Sequence, residues 1–322
     1  MKIVLPHSAW LGNIDPFLRS LDLSNPDYLD ITSNPEWTSL HPIVLSMVGA
    51  LGMNVQPENI RHDIKARSAP YLERMGLFQL WGIESGMHVT EHEAAGRFIP
   101  LTIIRTEQEL SKLIENIIPI FHLADYPEQA DTMRYIVDEM TRNVIEHAGM
   151  HTNAVVCVQY YQRSKKIRIG IADTGLGLRT TLSRHHPIQS HLHAIQQALW
   201  PGITGTTDAP GGSAQNAGAG LFFTKSMARV NKDHFLIYSG DAMYKLLEPK
   251  EEHRLRIPVD PFNDRHTKAE GLPFWQGTAV GIDITLEQTQ QFQVLLSALN
   301  TVLEEANRER KRKMSLKKPR FL

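Results

Sequence analysis

The sequence predicts an α+β protein in which a small α/β unit precedes a two-layer α/β sandwich. Short strand-like and helix-like patterns alternate along residues 1–125, which is typical of an α/β unit. A long amphipathic helix is predicted over 126–148, and two β-rich runs with a short loop follow at 154–161 and 165–172. Together these patterns predict one mixed sheet covered on one side by helices.

Composition indicates a soluble globular protein with a real core. The chain has 322 residues, which suits two domains or one enlarged domain, with 42% hydrophobic and 21% charged residues. A net charge of -1 argues against a globally basic nucleic-acid binder.

The same sequence predicts a cytoplasmic protein. Cys157 is the only cysteine, so no internal disulfide can form and a reducing compartment fits. Residues 1–10 lack the features of a signal peptide, and no apolar run approaches the ~18 residues of a membrane span. We therefore expect no membrane association.

The elements divide the chain into three parts. The first, 1–97, holds the α/β unit and a polar boundary at 83–97. The second, 98–286, holds the sandwich, and the third, 287–322, is a terminal helix with a basic tail. Predicted strands lie at 2–6, 28–32, 59–64, 98–105, 235–238, 242–247 and 277–284, and predicted helices at 15–21, 41–51, 68–82, 108–121, 189–200, 221–230 and 287–312.

The helix predicted over 126–148 carries a polar stripe. Glu139, Asn143 and His147 recur every fourth residue and so stack along one face, while an apolar stripe through Met133 and Met140 packs on the sheet. Asp125 is a candidate N-cap, and a glycine within residues 148–150 is expected to end the helix. One face of this helix is therefore free for chemistry.

Three glycine-containing motifs accompany that stripe. Asp173-Thr-Gly175-Leu-Gly177 follows a predicted strand, Gly218-Ala-Gly220-Leu221 precedes a predicted helix, and Gly277-Thr278 starts a late strand. Glu139 with Asn143, the Asp173 motif and the Gly218 motif resemble, in that order, the N, G1 and G2 boxes of the GHKL ATPases, the gyrase, heat-shock chaperone, histidine kinase and MutL group. Gly277-Thr278 resembles the further Gly-Thr element of that fold. The resemblance covers roughly 115–285 and implies the Bergerat ATP-binding fold.

The resemblance implies a role at the nucleotide base for one set of residues. A carboxylate at a strand end accepts well from an exocyclic amine, and Asp173 is that candidate for adenine. Gly175 and Gly177 let the backbone turn sharply and approach the base. Thr278 is expected to support Asp173, or a bridging water, through its hydroxyl.

A second set is assigned to the phosphates. Backbone N–H groups at Gly218 and Gly220 would face the triphosphate, with Leu221 opening a helix whose dipole favours anions. Asn143 matches the family's Mg²⁺ residue, and Mg²⁺ prefers oxygen ligands. Glu139, one turn earlier, is the candidate general base.

Two finer resemblances concern the type of protein. The spacing of Glu139, Asn143 and His147 is most similar to the anti-sigma serine-kinase branch. His147 is a candidate either for a phosphate contact or for capping the end of its helix, and capping is favoured. The patterns at 28–32 and 40–50 resemble STAS-type domains, which accompany some bacterial regulatory ATPases. The phosphoacceptor motif of sporulation-type STAS domains is absent, so phosphorylation of this segment is not implied.

We therefore expect a regulatory protein that binds ATP and Mg²⁺ and either hydrolyses ATP or transfers its γ-phosphate to a protein Ser or Thr. The alternatives are a nucleotide-gated interaction module and an ATPase subunit of a larger defence or stress complex. A regulatory protein partner is expected, and a homodimer is one option for an oligomeric state that the sequence leaves open.

Two further features carry less weight. The lid region 178–217 contains four histidines, but their spacing fits no standard zinc pattern. The tail 308–320 is basic, which allows a nucleic-acid contact; a solvated tail is favoured because no aromatic residues interleave the charges.

Overall fold

The computed structural model describes residues 1–87, 98–121, 127–147, 153–203, 220–249, 257–285 and 292–317. None of the helices in these ranges combines the length and apolar composition that a membrane span requires.

The first part of the chain folds around a small parallel sheet. Its strands pair in the order β1-β3-β5, and a second parallel pair joins β2 to β4. The elements are β1 (Lys2–Leu5), β2 (Ser8–Ala9), α1 (Asp15–Ser20), β3 (Leu29–Ser33), β4 (Ser39–Leu40), α2 (Pro42–Gly52) and β5 (Ile60–Asp63). The strands and helices predicted here are confirmed, with ends that differ by a residue. The short pair β2-β4 was missed.

The amphipathic helix predicted over 68–82 is wrong as a single element. The chain forms two short helices, α3 (Ala69–Arg74) and α4 (Leu77–Trp81). Between them Gly76 has φ 75°, a left-handed conformation that ends the first helix and starts the second. The apolar periodicity continued across this break, which is why periodicity alone predicted one helix.

The second part of the chain is built on a seven-stranded sheet. The strands are β6 (Phe98–Ile104), β7 (Ala154–Tyr161), β8 (Lys166–Ala172), β9 (Phe235–Gly240), β10 (Ala242–Leu246), β11 (His266–Ala269) and β12 (Trp275–Thr285). They pair in the order β11-β10-β9-β12-β8-β7-β6, and every pairing is antiparallel. Hairpins join β7 to β8 and β9 to β10, and β12 lies between β8 and β9. The expected mixed sheet is therefore wrong.

Helices cover one face of this sheet. Alternate strand residues such as Val156 and Ile169 point into a core that includes Met133, Ile136 and Leu299 from the helices. The helices are α5 (Glu107–Ile120), α6 (Pro127–His147), α7 (Gly177–Leu182), α8 (His191–Ala198), α9 (Gly220–Val230) and α10 (Phe292–Lys317). The amphipathic helix that the sequence predicted is thus α6, packed as expected.

The other face of the sheet is covered too. Val155 and Cys157, which alternate with the residues above, lie in a second core together with the first part of the chain. Helix α2 supplies the central contact, and all its residues are buried. The two-layer expectation is therefore incomplete, because an apolar helix from the first 87 residues forms a third layer.

Close approach between α2 and β8 depends on a glycine. A Cβ at Gly170 would lie 2.1 Å from the backbone nitrogen of Ile43, so only glycine allows this contact. Ser46 donates a hydrogen bond of 2.9 Å to the carbonyl oxygen of Gly170. These two contacts fix the position of α2 along the strand.

A buried hydrogen bond between two side chains also joins the two parts of the chain. His41 Nδ1 accepts from the backbone N–H of Ile43, so Nε2 carries the proton and lies 3.1 Å from Asp283 Oδ1 on β12. Burial lowers the pKa of His41, which keeps this imidazole neutral at physiological pH. The contact between His41 and Asp283 is therefore a hydrogen bond from a neutral imidazole and does not require a buried histidine charge.

Candidate functional site

Asp173 follows β8 and is the buried carboxylate of the site. Asp173 is 2% exposed to solvent. Oδ1 accepts from the backbone N–H of Gly175 at 2.7 Å, and Oδ2 accepts from the backbone N–H of Thr278 at 3.2 Å. Burial raises the pKa of Asp173 to about 7, although both hydrogen bonds favour the charged form. A carboxylate has about four acceptor positions, and the described residues fill two of them.

The start of β12 holds this carboxylate from the side. Thr278 accepts a hydrogen bond of 3.0 Å from the N–H of Asp173, and Trp275 Nε1 donates to the carbonyl oxygen of Asp173 at 3.1 Å. Gly277 between them has φ 102°, and a Cβ there would lie 2.3 Å from that carbonyl oxygen. Glycine is therefore required where the two strand ends meet.

Thr278 supports Asp173 differently from the sequence prediction. Its backbone N–H, not its hydroxyl, contacts the carboxylate. The hydroxyl lies 3.4 Å from Ser239 Oγ on β9, which in turn donates to the carbonyl oxygen of Gly277 at 2.7 Å. The direct contact of Thr278 with the carboxylate is therefore made by the main chain, and support by its hydroxyl through a bridging water stays a prediction.

The two glycines after Asp173 have different tasks. Gly175 donates its N–H to Asp173 and closes a short turn. Gly177 has φ 74° and begins α7, and a Cβ there would lie 3.1 Å from the carbonyl oxygen of Gly277. Of the two, only Gly177 has a backbone conformation that favours glycine.

Glu139 on α6 meets the first residue of α9. A Cβ at Gly220 would lie 2.1 Å from Oε2 of Glu139, so the carboxylate reaches directly to the N-terminus of that helix. Orphan N–H groups at a helix N-terminus favour negative charge. A general-base candidate and a phosphate-binding candidate therefore adjoin.

The chain was compared with known proteins. The family model of the histidine kinase-like ATPase domain matches residues 124–232. This supports a GHKL-like ATPase domain that binds ATP. The match spans α6, the hairpin β7-β8, the turn after Asp173 and α9. A search of the curated proteins gives no match.

Several predicted residues of the ATPase domain lie outside the described ones. They include Asp125, Gly218 and the side chains of Asn143 and His147; the backbone of Asn143 lies in α6, one turn after Glu139. Leu221 is described and is 8% exposed, and it belongs to the core on the helix-covered face. Its side chain packs α9 in place.

Sequence reasoning missed several residues around Asp173. Ser239 also accepts from the N–H of Leu178 at 3.1 Å, and Gln276 donates to the carbonyl oxygen of Gly175. Asn54, beyond the end of α2, donates to Thr174 Oγ1 at 2.9 Å. Trp275 and Gln276 directly precede the predicted Gly277-Thr278 motif, and this adjacency could have identified them as residues of the site. Nothing in the sequence indicated Ser239 or Asn54.

The region after Gly177 contains more regular structure than predicted. Helix α7 was not expected, and α8 begins with Ser190 accepting from the N–H of His193 at 3.1 Å. His191 packs on Phe274 with ring centroids 5.5 Å apart, and a Cβ at Gly240 would lie 2.0 Å from its Nδ1. Among the described residues no three His, Cys, Asp or Glu side chains could jointly hold a metal ion.

Proposed function

We propose that the protein is an ATP-dependent regulator that binds ATP with Mg²⁺ and either hydrolyses it or transfers its γ-phosphate to a Ser or Thr of a protein partner. The contact that carries this proposal is the carboxylate of Glu139 against Gly220 at the start of α9. It brings the candidate base to the helix end that would receive phosphate oxygens.

Recognition of adenine is assigned to Asp173. The acceptor positions that the described residues do not fill suit the exocyclic amine, and the surroundings of the carboxylate exclude competing water because the side chain is buried. Gly175 and Gly177 leave the main chain of this turn free of Cβ atoms near the base. The N–H groups donated by Gly175 and Thr278 hold the carboxylate in one orientation.

The phosphate end is assigned to Gly218, Gly220 and Asn143. Backbone N–H groups at the start of α9 suit the triphosphate, and the amide oxygen of Asn143 would be the protein ligand to Mg²⁺. When bound, Mg²⁺ neutralises charge on the phosphate oxygens. Glycine suits position 220 because the side chain of any larger residue would occupy the space beside Glu139.

Glu139 is the proposed general base. Its carboxylate accepts the proton of a water or a Ser or Thr hydroxyl, whose oxygen then bonds to the γ-phosphorus. The bond from that phosphorus to the β,γ-bridging oxygen breaks, and ADP leaves with the electron pair. General-base assistance contributes roughly 10²- to 10⁴-fold in rate.

The finer assignment is a serine kinase of the anti-sigma type. It rests on the register of Glu139, Asn143 and His147 on one face of α6, and on a preceding STAS-like α/β segment, domain 1–97. Domain 98–286 would hold the nucleotide, and 287–322 would form the terminal helix and tail.

The test uses the full chain with γ-labelled ATP and Mg²⁺, with and without a lysate. We expect label on a protein or release of free phosphate, and we expect Glu139→Ala to bind ATP normally while losing roughly a hundredfold or more of the rate. Glu107→Ala, at the start of α5, is the matched carboxylate control. An unchanged rate in Glu139→Ala would exclude the assigned base.

The products separate the remaining functions. Labelled protein indicates a kinase, and free phosphate indicates an ATPase. Binding with neither product indicates a nucleotide-gated interaction module, and absence of nucleotide binding would contradict the proposal as a whole.

A further inference from the structure

We propose that Asn54 is a positioning residue of the nucleotide site, through which the first part of the chain holds the base-binding turn. The inference rests on the proposed function, because it assigns a role in binding the base. Asn54 lies just beyond α2, and Nδ2 is 2.9 Å from Thr174 Oγ1. Thr174 is the residue between Asp173 and Gly175.

The position of Asn54 is fixed from two sides. Its Nδ2 also donates to the carbonyl oxygen of Ala50 in the last turn of α2 at 2.9 Å, which ties the side chain to that helix. Helix α2 is itself held on β8 by the close approach of Ile43 to Gly170 and by the hydrogen bond from Ser46. Helix α2 thus contacts β8 at Gly170, and Asn54 just beyond the helix contacts the turn that follows the strand.

Other residues hold the turn as well. Asp173 receives hydrogen bonds from Gly175 and Thr278, and the carbonyl oxygen of Gly175 accepts from Gln276. Asn54, in the first part of the chain, donates a side-chain hydrogen bond to Thr174. The first and second parts of the chain therefore both contribute to the geometry of one three-residue turn.

The energetic effect is bounded by the type of bond. A neutral hydrogen bond near the surface contributes modestly, which corresponds to about a fivefold change in affinity. Because the turn faces the base, loss of this hydrogen bond should weaken the binding of adenosine, ADP and ATP by the same factor. Loss of a residue that contacts the phosphates would instead change the three affinities by different factors.

The experiment measures dissociation constants of adenosine, ADP and ATP for the full chain and for Asn54→Ala, Thr174→Val and the double variant. We expect each single variant to bind all three ligands about fivefold more weakly. The double variant should be no weaker than either single variant, because both substitutions remove the same bond. Thr174→Ser, which keeps the hydroxyl, should bind as the unsubstituted protein does.

The control is Asn34→Ala, in the same part of the chain. Asn34 Oδ1 accepts from the N–H groups of Glu36 and Trp37, so this variant also loses local hydrogen bonds, but not one to the turn. It should bind all three ligands normally. Thermal melting of the ligand-free variants serves as a second readout, and Asn54→Ala and Asn34→Ala should melt alike.

Two results would overturn the inference alone: normal binding by Asn54→Ala, or losses that multiply in the double variant. If the unsubstituted protein binds none of the three ligands, the proposed function fails and this inference fails with it.

Discussion

Asp173 is the residue on which the proposed recognition of adenine depends. It is buried, and two main-chain N–H groups donate to it. We expect Asp173→Ala to lose usable ATP binding, because a hydrogen bond to a charged group contributes about 1.5–3 kcal/mol, or roughly ten- to a hundredfold in affinity. Calorimetry on the full chain measures this. Asp30→Ala, an exposed carboxylate on β3, is the control, and near-normal affinity in Asp173→Ala would refute the assignment.

The raised pKa of Asp173, about 7, predicts opposite pH dependences for stability and binding. The folded-state pKa lies above the unfolded value of about 3.9, so stability from this group is fully present below pH ~4 and is lost as pH rises through 7. A ligand amine needs the ionised carboxylate. Affinity for adenosine should therefore rise about tenfold between pH 6 and pH 8.

Adenosine is the right ligand for that measurement because a phosphate group itself titrates near pH 6. Asp173→Asn should show a flat profile over the same interval. Tighter binding at low pH would mean that a protonated Asp173 donates to the base, contrary to the assigned role.

At the scale of elements, the contact between α2 and β8 is the feature that periodicity could not predict. Gly170 faces main-chain atoms of Pro42 and Ile43, so an added Cβ cannot be accommodated by a side-chain rotation. We expect Gly170→Ala to destabilise the protein by about 1–3 kcal/mol, as overpacking does. Denaturant unfolding measures it. Gly12→Ala is the control, since its nearest neighbour would be His234 Nε2 at 3.7 Å.

If Gly170→Ala unfolds at the same denaturant concentration as Gly12→Ala, α2 does not pack on β8 in solution. The inference about Asn54 would then lose its foundation, because the helix that carries Asn54 would not be fixed beside the turn.

At the scale of the whole molecule, the two parts of the chain share a core. Tyr238, Trp275 and Ala279 of the seven-stranded sheet lie in the same buried cluster as Leu11 and Val44 from the first part. Removal of residues 1–87 would expose this apolar face, and exposed patches of that kind promote association. We expect the truncated protein to aggregate or to bind a hydrophobic dye, as size-exclusion chromatography and fluorescence would show.

Removal of residues 308–322 is the matched truncation. Ala306 is the last buried residue described in α10, so this change spares the described core. The shortened protein should elute as the full chain does. A monodisperse, dye-negative protein lacking 1–87 would mean instead that the first part is a separately folded domain.

The sequence by itself determined most of the described elements, the order of the motifs and the chemical type of the candidate residues. Local periodicity and capping suffice for α6, and Asp173, Gly177 and Gly220 stand in a recognisable order. Only the tertiary structure decided that α2 lies behind the sheet and that Asn54 contacts Thr174. The physical reason is that these contacts join residues more than a hundred positions apart in the sequence. Their packing depends on side-chain volume and on close approach of the backbones, and neither property produces a periodic pattern in the sequence.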